Sequence, residues 1–585
     1  MTRTDLIVDA VVIGGGFGGC NALYRLREMG LTTKLFEAGS GFGGVWHWNG
    51  YPGARVDSEM PAYQFNIPAV YRDWHWSERF PGVEELRRYF EHVDRVLGLS
   101  KDTYFNTIVS ECRFDSASRL WIVHTSTGIR ATCKYLIAAT GSSYKKYFPE
   151  YPGLSQYKGQ LVHSAAYPDN LDVTGKKVGI VGNGASGLQI VQELAKKDCE
   201  LTVFIRTPCF ALPMRQRNIS PEESEMMKGY YDAIFDRCYK SVTGFPHNTK
   251  PQAASTASPE ERKAIFDQLW QRGGYSFLVS NYYDFLLNEE ANSIFYDYWV
   301  QQVRARMTNQ KKMDLVAPLK QTYLVGTKRP SLEQDYYEMI DRENVVLHDL
   351  KKAPIQEFDE TGVITAEGHR DLDIVIFATG YDAVTGSLLD LGIEDRNQVP
   401  LSEKWKDGTA THLGLMIPDA PNLFLVYGPQ APTSLANGPP FIEMEVDWIC
   451  RAIAKMHDEG LASVVPTAKA AEQWKEEVRL VSENTLYPKT NSWYMGTNIP
   501  GKRREPLIYL GGMPRWWQKC NDALESWEGF STQPFKLVTF TPIDLILQPI
   551  ITSNTSYYVE TYPPYCLKLQ CGQCIRSLSG NPHIA

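Results

Sequence analysis

Gly14-Gly15-Gly16-Phe17-Gly18-Gly19 and Gly182-Asn183-Gly184-Ala185-Ser186-Gly187 both read G-x-G-x-x-G, and each directly follows an apolar run, Val11-Val12-Ile13 and Val178-Gly179-Ile180-Val181. Strand, glycine turn and helix in that order bring backbone N–H groups and the positive end of a helix up to a pyrophosphate. A chain that carries the unit twice is built to hold two dinucleotides, and the fold class that does so is α/β, with two Rossmann-like domains.

The two units differ downstream of their glycines. After the first, apolar residues at helical spacing over 21–29 end at Gly30, and the next strand, 33–36, ends in Glu37, eighteen residues beyond Gly19. An acid there meets a free ribose diol, so Gly14, Gly16, Gly19 and Glu37 predict a site for FAD or NAD. After the second, a helix over 185–195 leads to a strand over 201–205 that ends in Arg206-Thr207, nineteen residues beyond Gly187. A base at that position pairs with a 2′-phosphate, so Gly182, Gly184, Gly187, Arg206 and Thr207 predict NADP(H).

The segment 157–169 joins the two units and is a hinge candidate. Gly43 to Asp57 is too rich in glycine and proline for regular helix and predicts a loop against a flat ligand, with Trp46 and Trp48 as candidate walls. Ala139-Thr140-Gly141 is echoed by Ala378-Thr379-Gly380, as though each nucleotide domain ended its sheet alike. Between them, Ser220-Pro221-Glu222-Glu223 and Ser258-Pro259-Glu260-Glu261 are capping boxes of an inserted helical region. Its aromatics, Tyr230, Tyr231, Trp270, Tyr282, Tyr283, Phe285, Phe295, Tyr296, Tyr298 and Trp299, are expected in its core. The expected organisation inserts the second nucleotide domain in the first: 1–145 and 386–530 for the FAD domain, 146–215 and 325–385 for the NADPH domain, 216–324 for the helical insertion, and 531–585 as a tail of unassigned role.

A formal charge of −8 over 585 residues gives no basic footprint for nucleic acid and no polybasic membrane patch. No stretch is long and apolar enough to span a bilayer, and the run from Leu6 to Ile13 reads as a buried strand rather than a signal peptide. Eleven scattered cysteines fit reduced thiols, so a cytoplasmic chain, monomeric or weakly homo-oligomeric, with small-molecule partners is expected. Zinc at Cys566, Cys571 and Cys574 would need His583 as its fourth ligand, and no metal is expected.

With these pieces in place the chain resembles the Baeyer–Villiger monooxygenases, class B flavoproteins related to cyclohexanone, cyclopentanone and phenylacetone monooxygenases, from about residue 5 to about 528. The family fingerprint F-x-G-x-x-x-H-x-x-x-W-P/D stands here as Tyr157-x-Gly159-x-x-x-His163-x-x-x-Tyr167-Pro168. Both aromatic ends depart from it, and an aromatic other than tryptophan at 167 marks the related N- or S-oxygenating monooxygenases. Gly43-Gly44-x-Trp46 with Tyr51-Pro52-Gly53-x-x-x-Asp57 looks like the second family motif. The resemblance implies FAD and NADPH as cofactors, with O2 and a ketone as substrates, and an ester or lactone formed through a C4a-peroxyflavin. It implies Arg329 as the active-site arginine, Asp57 as its orienting carboxylate, and His163 as the residue coupling linker to cofactor. Gly44 and Trp46 would lie against the flavin, Lys328 would join Arg206 and Thr207 at the 2′-phosphate, and Trp493 would lie near the nicotinamide cofactor. The loop 428–443 resembles the longer version found in members that accept bulky ketones. A heteroatom monooxygenase is the alternative. A dithiol reductase would need a redox Cys-x-x-Cys, of which only Cys571/Cys574 is present, and a non-catalytic FAD-binding protein is the remote reading.

Overall fold

β1 (Thr4–Ile13) is exposed or half-buried over its first six residues and wholly buried over its last four, where the sequence turns continuously apolar. That is the pattern of a central strand covered on both faces. In this computed structural model, which describes residues 4–535, β1 is followed by α1 (Phe17–Glu28) and β2 (Thr33–Phe36). β2 lies parallel to β1 with Val12 opposite Leu35. A one-turn helix, α2 (Val45–Trp48), interrupts the loop expected to be free of helix, and Gly44 starts it with φ +56. Next come β3 (Thr103–Tyr104), β4 (Val109–Asp115), β5 (Leu120–Thr125) and β6 (Ile129–Ala138). β6 flanks β1 on the side away from β2, parallel, with Ile137 opposite Val12.

The second sheet starts inside the expected hinge. β7 (Gln160–His163) is an edge strand paired in parallel with the strand Ile374–Phe377, and Val162 and His163 are buried. Tyr157 donates its hydroxyl hydrogen bond to the Leu372 carbonyl at 2.8 Å and packs edge-on against Phe358. Most of the segment expected as a hinge is therefore anchored, because β7 completes the edge of a sheet and buries Val162 and His163. β8 (Lys176–Val181) and β9 (Cys199–Ile205) follow, and the strand order is Val345–Asp349, β9, β8, Ile374–Phe377, β7, all parallel. The chain returns to the first sheet at Ile393–Glu394 beside β4 and at Leu423–Leu425 beside β6. The fold is α/β with two Rossmann-like sheets, the second set into the sequence of the first.

Helices such as Pro221–Lys228, Pro259–Arg272 and Glu289–Arg304 form the inserted region. The box at Ser258 is reciprocal, whereas Glu223 turns away from Ser220 to a bidentate pair with Arg217 at 2.6 and 2.9 Å. Phe295, Tyr296 and Trp299 are in the core, but Tyr230 and Tyr283 are 68% and 53% exposed, against expectation. They stand beside Tyr231 and Tyr282, which take the inward positions. The loop expected over 428–443 becomes helix at Gly438, with Pro439 and Pro440 in its first turn, where a missing N–H costs nothing. The tail expected from residue 531 starts as structure: Phe530–Pro534 pairs antiparallel with Leu461–Pro466, both rich in residues that suit a ladder. Cys566, Cys571, Cys574 and His583 lie outside the described residues. Among the described residues no helix is long and apolar enough to cross a membrane.

Candidate active site

The two glycine turns are geometric copies. Gly14 and Gly182 have φ of +103 and +111, and a Cβ on either would sit 2.5 Å from the carbonyl oxygen of Ala139 or Ala378. The repeated Ala-Thr-Gly is thus the wall against which each glycine turn is pressed. Around Gly184 a Cβ would meet nothing within 4 Å, so that turn opens onto free space.

That space is a cavity of about 930 Å³ running between both turns. Gly14, Gly16, Glu37, Gly44, Asp57, Gly182, Gly184, Arg206, Thr207, Lys328, Arg329 and Trp493 all line it. Gly19 and Gly187 lie behind the turns, where a Cβ would run into the Gly14 or Gly182 carbonyl at 1.7 and 2.3 Å. Two further candidates are off the wall. Trp46, the expected flavin contact, is turned by α2 so that its indole N–H donates to the Tyr63 hydroxyl at 3.1 Å; Tyr63 and Trp48 line the cavity instead. His163 is buried behind the cavity, its Nδ1 accepting from the Ala165 N–H at 3.1 Å and its ring beside Phe148 and Tyr381. Burial lowers its pKa to about 4, so it is neutral, and a direct proton-transfer role has no geometry to support it.

At the first turn the Glu37 carboxylate takes the Gly15 N–H at 2.5 Å and the Gly39 N–H at 2.6 Å. Burial raises its pKa while those two N–H groups oppose the rise. Each oxygen keeps a lone pair for a ribose hydroxyl. At the second turn Arg206 and Lys328 have no carboxylate partner among the described residues. Lys328 sits over the Tyr323 ring at 4.8 Å, and burial followed by the charge of Arg206 lowers its pKa. Like charges held together with no counterion suit a polyanionic ligand. Asn183 adds a buried amide nitrogen without a partner, its oxygen fixed by the Tyr336 hydroxyl at 2.6 Å. These features fit a flavin dinucleotide at the first turn and a phosphorylated nicotinamide dinucleotide at the second.

Between the turns Arg329 and Asp57 form a bidentate pair, Nε to Oδ2 at 2.9 Å and Nη2 to Oδ1 at 3.0 Å. Nη1 donates to the Ser434 carbonyl at 3.0 Å. Tyr275 lies under the guanidinium at 4.8 Å, and its hydroxyl bonds Asp57 Oδ2 at 2.7 Å. Burial alone would raise the Asp57 pKa, but the Arg329 charge and hydrogen bonds hold it below its ordinary value; Asp57 in turn overcomes burial and raises the pKa of Arg329. A guanidinium has five N–H donors, and three are engaged here, which leaves one on each terminal nitrogen. Tyr275, Tyr427 and Ser434 were not legible as site residues. Only the Gly273-Gly274 pair before Tyr275 marked a turn there, with φ of +69 and +60.

A family model described as pyridine nucleotide-disulphide oxidoreductase matches residues 8–230. Cyclopentanone 1,2-monooxygenase of Comamonas sp. is 38% identical over 526 residues, covering 90% of this chain and 96% of that protein. A Baeyer-Villiger monooxygenase of Pseudooceanicola batsensis is 36% identical over 528 residues, with 90% and 95% covered. Among solved structures, OTEMO complexed with FAD and NADP superposes with a TM-score of 0.86 at 34% identity, covering 90% of this chain and 99% of that one. With two nucleotide cradles, a paired arginine between them and relatives aligned over nine-tenths of its length, the chain belongs to the Baeyer–Villiger family of flavin monooxygenases.

Proposed function

We infer that this protein is an FAD- and NADPH-dependent monooxygenase that inserts one atom of O2 beside a ketone carbonyl to give an ester or lactone. The observation that carries the reading is Arg329, held from three sides in the wall of a cavity that joins two dinucleotide sites. When bound and reduced, the flavin supplies the activation of O2.

The rest is the work of side chains. Arg329 cannot lose its proton, and its two unengaged N–H groups can meet negative charge as it develops on the ketone oxygen. Asp57 and the Ser434 carbonyl fix the plane of the guanidinium before any substrate arrives, so little reorganisation is needed during the reaction. The apolar wall, with Tyr63, Val426, Ile442 and Trp493, excludes water from that place. Arg206, Thr207 and Lys328 hold the 2′-phosphate, Glu37 the flavin ribose, and His163 and Trp46 act from behind the wall by placing β7 and Tyr63. Seven of the eight described cysteines are buried and all eight are free, which supports work in the reducing cytoplasm.

The reading is tested by incubating the FAD-loaded protein with NADPH and, separately, a panel of cyclic ketones and a thioether. Lactone is expected; sulfoxide with every ketone unchanged would overturn it. Cofactor choice has its own test. Lys328→Ala should raise KM for NADPH about 10- to 100-fold, the worth of one bond to a charged phosphate. KM for NADH should hardly move, and equal shifts for both cofactors would contradict the assignment.

A further inference from the structure

Glu445 has no exposed surface and no cationic partner among the described residues. It projects from the long helix Gly438–Asp458, and its Oε2 accepts the Tyr427 N–H at 2.8 Å while Oε1 has no partner. Burying such a group without pairing it is costly, so its presence calls for a reason. Its neighbour two residues earlier, Glu443, is fully accounted for by Asn66 and Tyr239.

The reason lies in the contacts of Tyr427. Tyr427 follows the strand Leu423–Leu425 with a left-handed φ of +61, and its N–H points to the helix rather than into the ladder. Glu445 is the acceptor that N–H finds. The Tyr427 hydroxyl accepts from the Ser434 N–H at 3.1 Å, and Ser434, itself at φ +63, gives its carbonyl to Arg329 Nη1 at 3.0 Å. Three hydrogen bonds thus run in series from the helix to the active-site guanidinium, through two residues in a conformation that side chains rarely adopt.

We propose that Glu445 is a positioning residue for the oxygenation: from the helix Gly438–Asp458 it fixes Tyr427, and through Tyr427 the Ser434 carbonyl that holds Arg329 in place. The proposal rests on the role of Arg329 in the proposed function. Burial raises the Glu445 pKa, and what the Tyr427 N–H takes from it is one acceptor oxygen, so an amide can replace it and a hydrocarbon cannot.

The test compares Glu445→Gln and Glu445→Leu in the FAD-loaded enzyme by ester formed per NADPH consumed. Glu445→Leu should lower that ratio about tenfold, the loss of one buried acceptor, while NADPH oxidation continues; Glu445→Gln should recover it to within about threefold. A ratio unchanged in Glu445→Leu, or equally poor in both variants, would overturn the proposal. If Glu445→Leu does not fold, Tyr427→Phe carries the test, because it removes the acceptor of the Ser434 N–H and should lower the ratio likewise; an unchanged ratio would again overturn it. A crystal structure of the Leu variant, or of Tyr427→Phe in its place, gives a readout independent of any ketone. The Ser434 carbonyl should have left Arg329, and an intact 3.0 Å contact would sink the proposal even if the wild-type product proved not to be an ester.

Discussion

Replacing Arg329 with alanine should lower ester or lactone formation by about two to three orders of magnitude, the effect of losing a preorganised donor at a developing oxyanion. FAD should stay bound, because Glu37 and the first glycine turn, which would hold its ribose and pyrophosphate, are untouched by the substitution. NADPH should still be oxidised. Arg329→Lys should do little better, since an ammonium cannot bond both Asp57 oxygens and the Ser434 carbonyl from one rigid plane. Product analysis by mass spectrometry together with the flavin spectrum checks both halves. Full ester yield from Arg329→Ala would remove the arginine from the mechanism.

Asp57→Ala should act on stability as well as on turnover. It strands the Arg329 cation in the cavity wall with Tyr275, Tyr494 and the Ser434 carbonyl around it and no carboxylate. Breaking one side of a fully buried pair costs several kcal/mol; with about a third of the Asp57 side chain exposed, a discounted loss of about 2 kcal/mol is expected. Asp57 also has a predictable pH signature. Its folded pKa lies below the ordinary 3.8, so the stability it contributes is fully present above that value and is lost as pH falls through the folded value. The gap in melting temperature between wild type and Asp57→Ala should therefore be constant near neutral pH and close only in strong acid. A gap that narrows between pH 6 and 8 would mean that another group sets the pair. Asp57→Asn, which keeps one acceptor oxygen, should fall between the two in ester yield.

What could be read from the chain is local in origin. Each glycine turn, Glu37 and Arg206 stand at fixed offsets along one β-turn-α unit, so their spacing carries their placement. The Ala-Thr-Gly echo is visible for the same reason, and its cause, a carbonyl pressed against Gly14 or Gly182, needs coordinates. Tyr275 and Ser434 reach Arg329, and Tyr427 and Glu445 reach Ser434 in series, through tertiary packing, and nothing periodic announces them. An aromatic in a glycine-rich loop suggests a flavin wall, which is why Trp46 is expected there. A single helical turn at Val45–Trp48 is enough to send it to Tyr63. Segment 157–169 falls between two motifs and so suggests a linker, yet Gln160–His163 pairs as an edge strand with Ile374–Phe377, a contact between segments far apart in sequence.

If one oxygen atom of O2 enters the substrate next to its carbonyl, turnover of a cyclic ketone by the FAD-loaded enzyme with NADPH under 18O2 should show where it goes, with a thioether supplied in a parallel reaction. Lactone labelled once, at the ring oxygen, with the carbonyl oxygen unlabelled, is the expected product. Unlabelled ketone recovered whole, beside a labelled sulfoxide, would rule out oxygen insertion at the carbonyl.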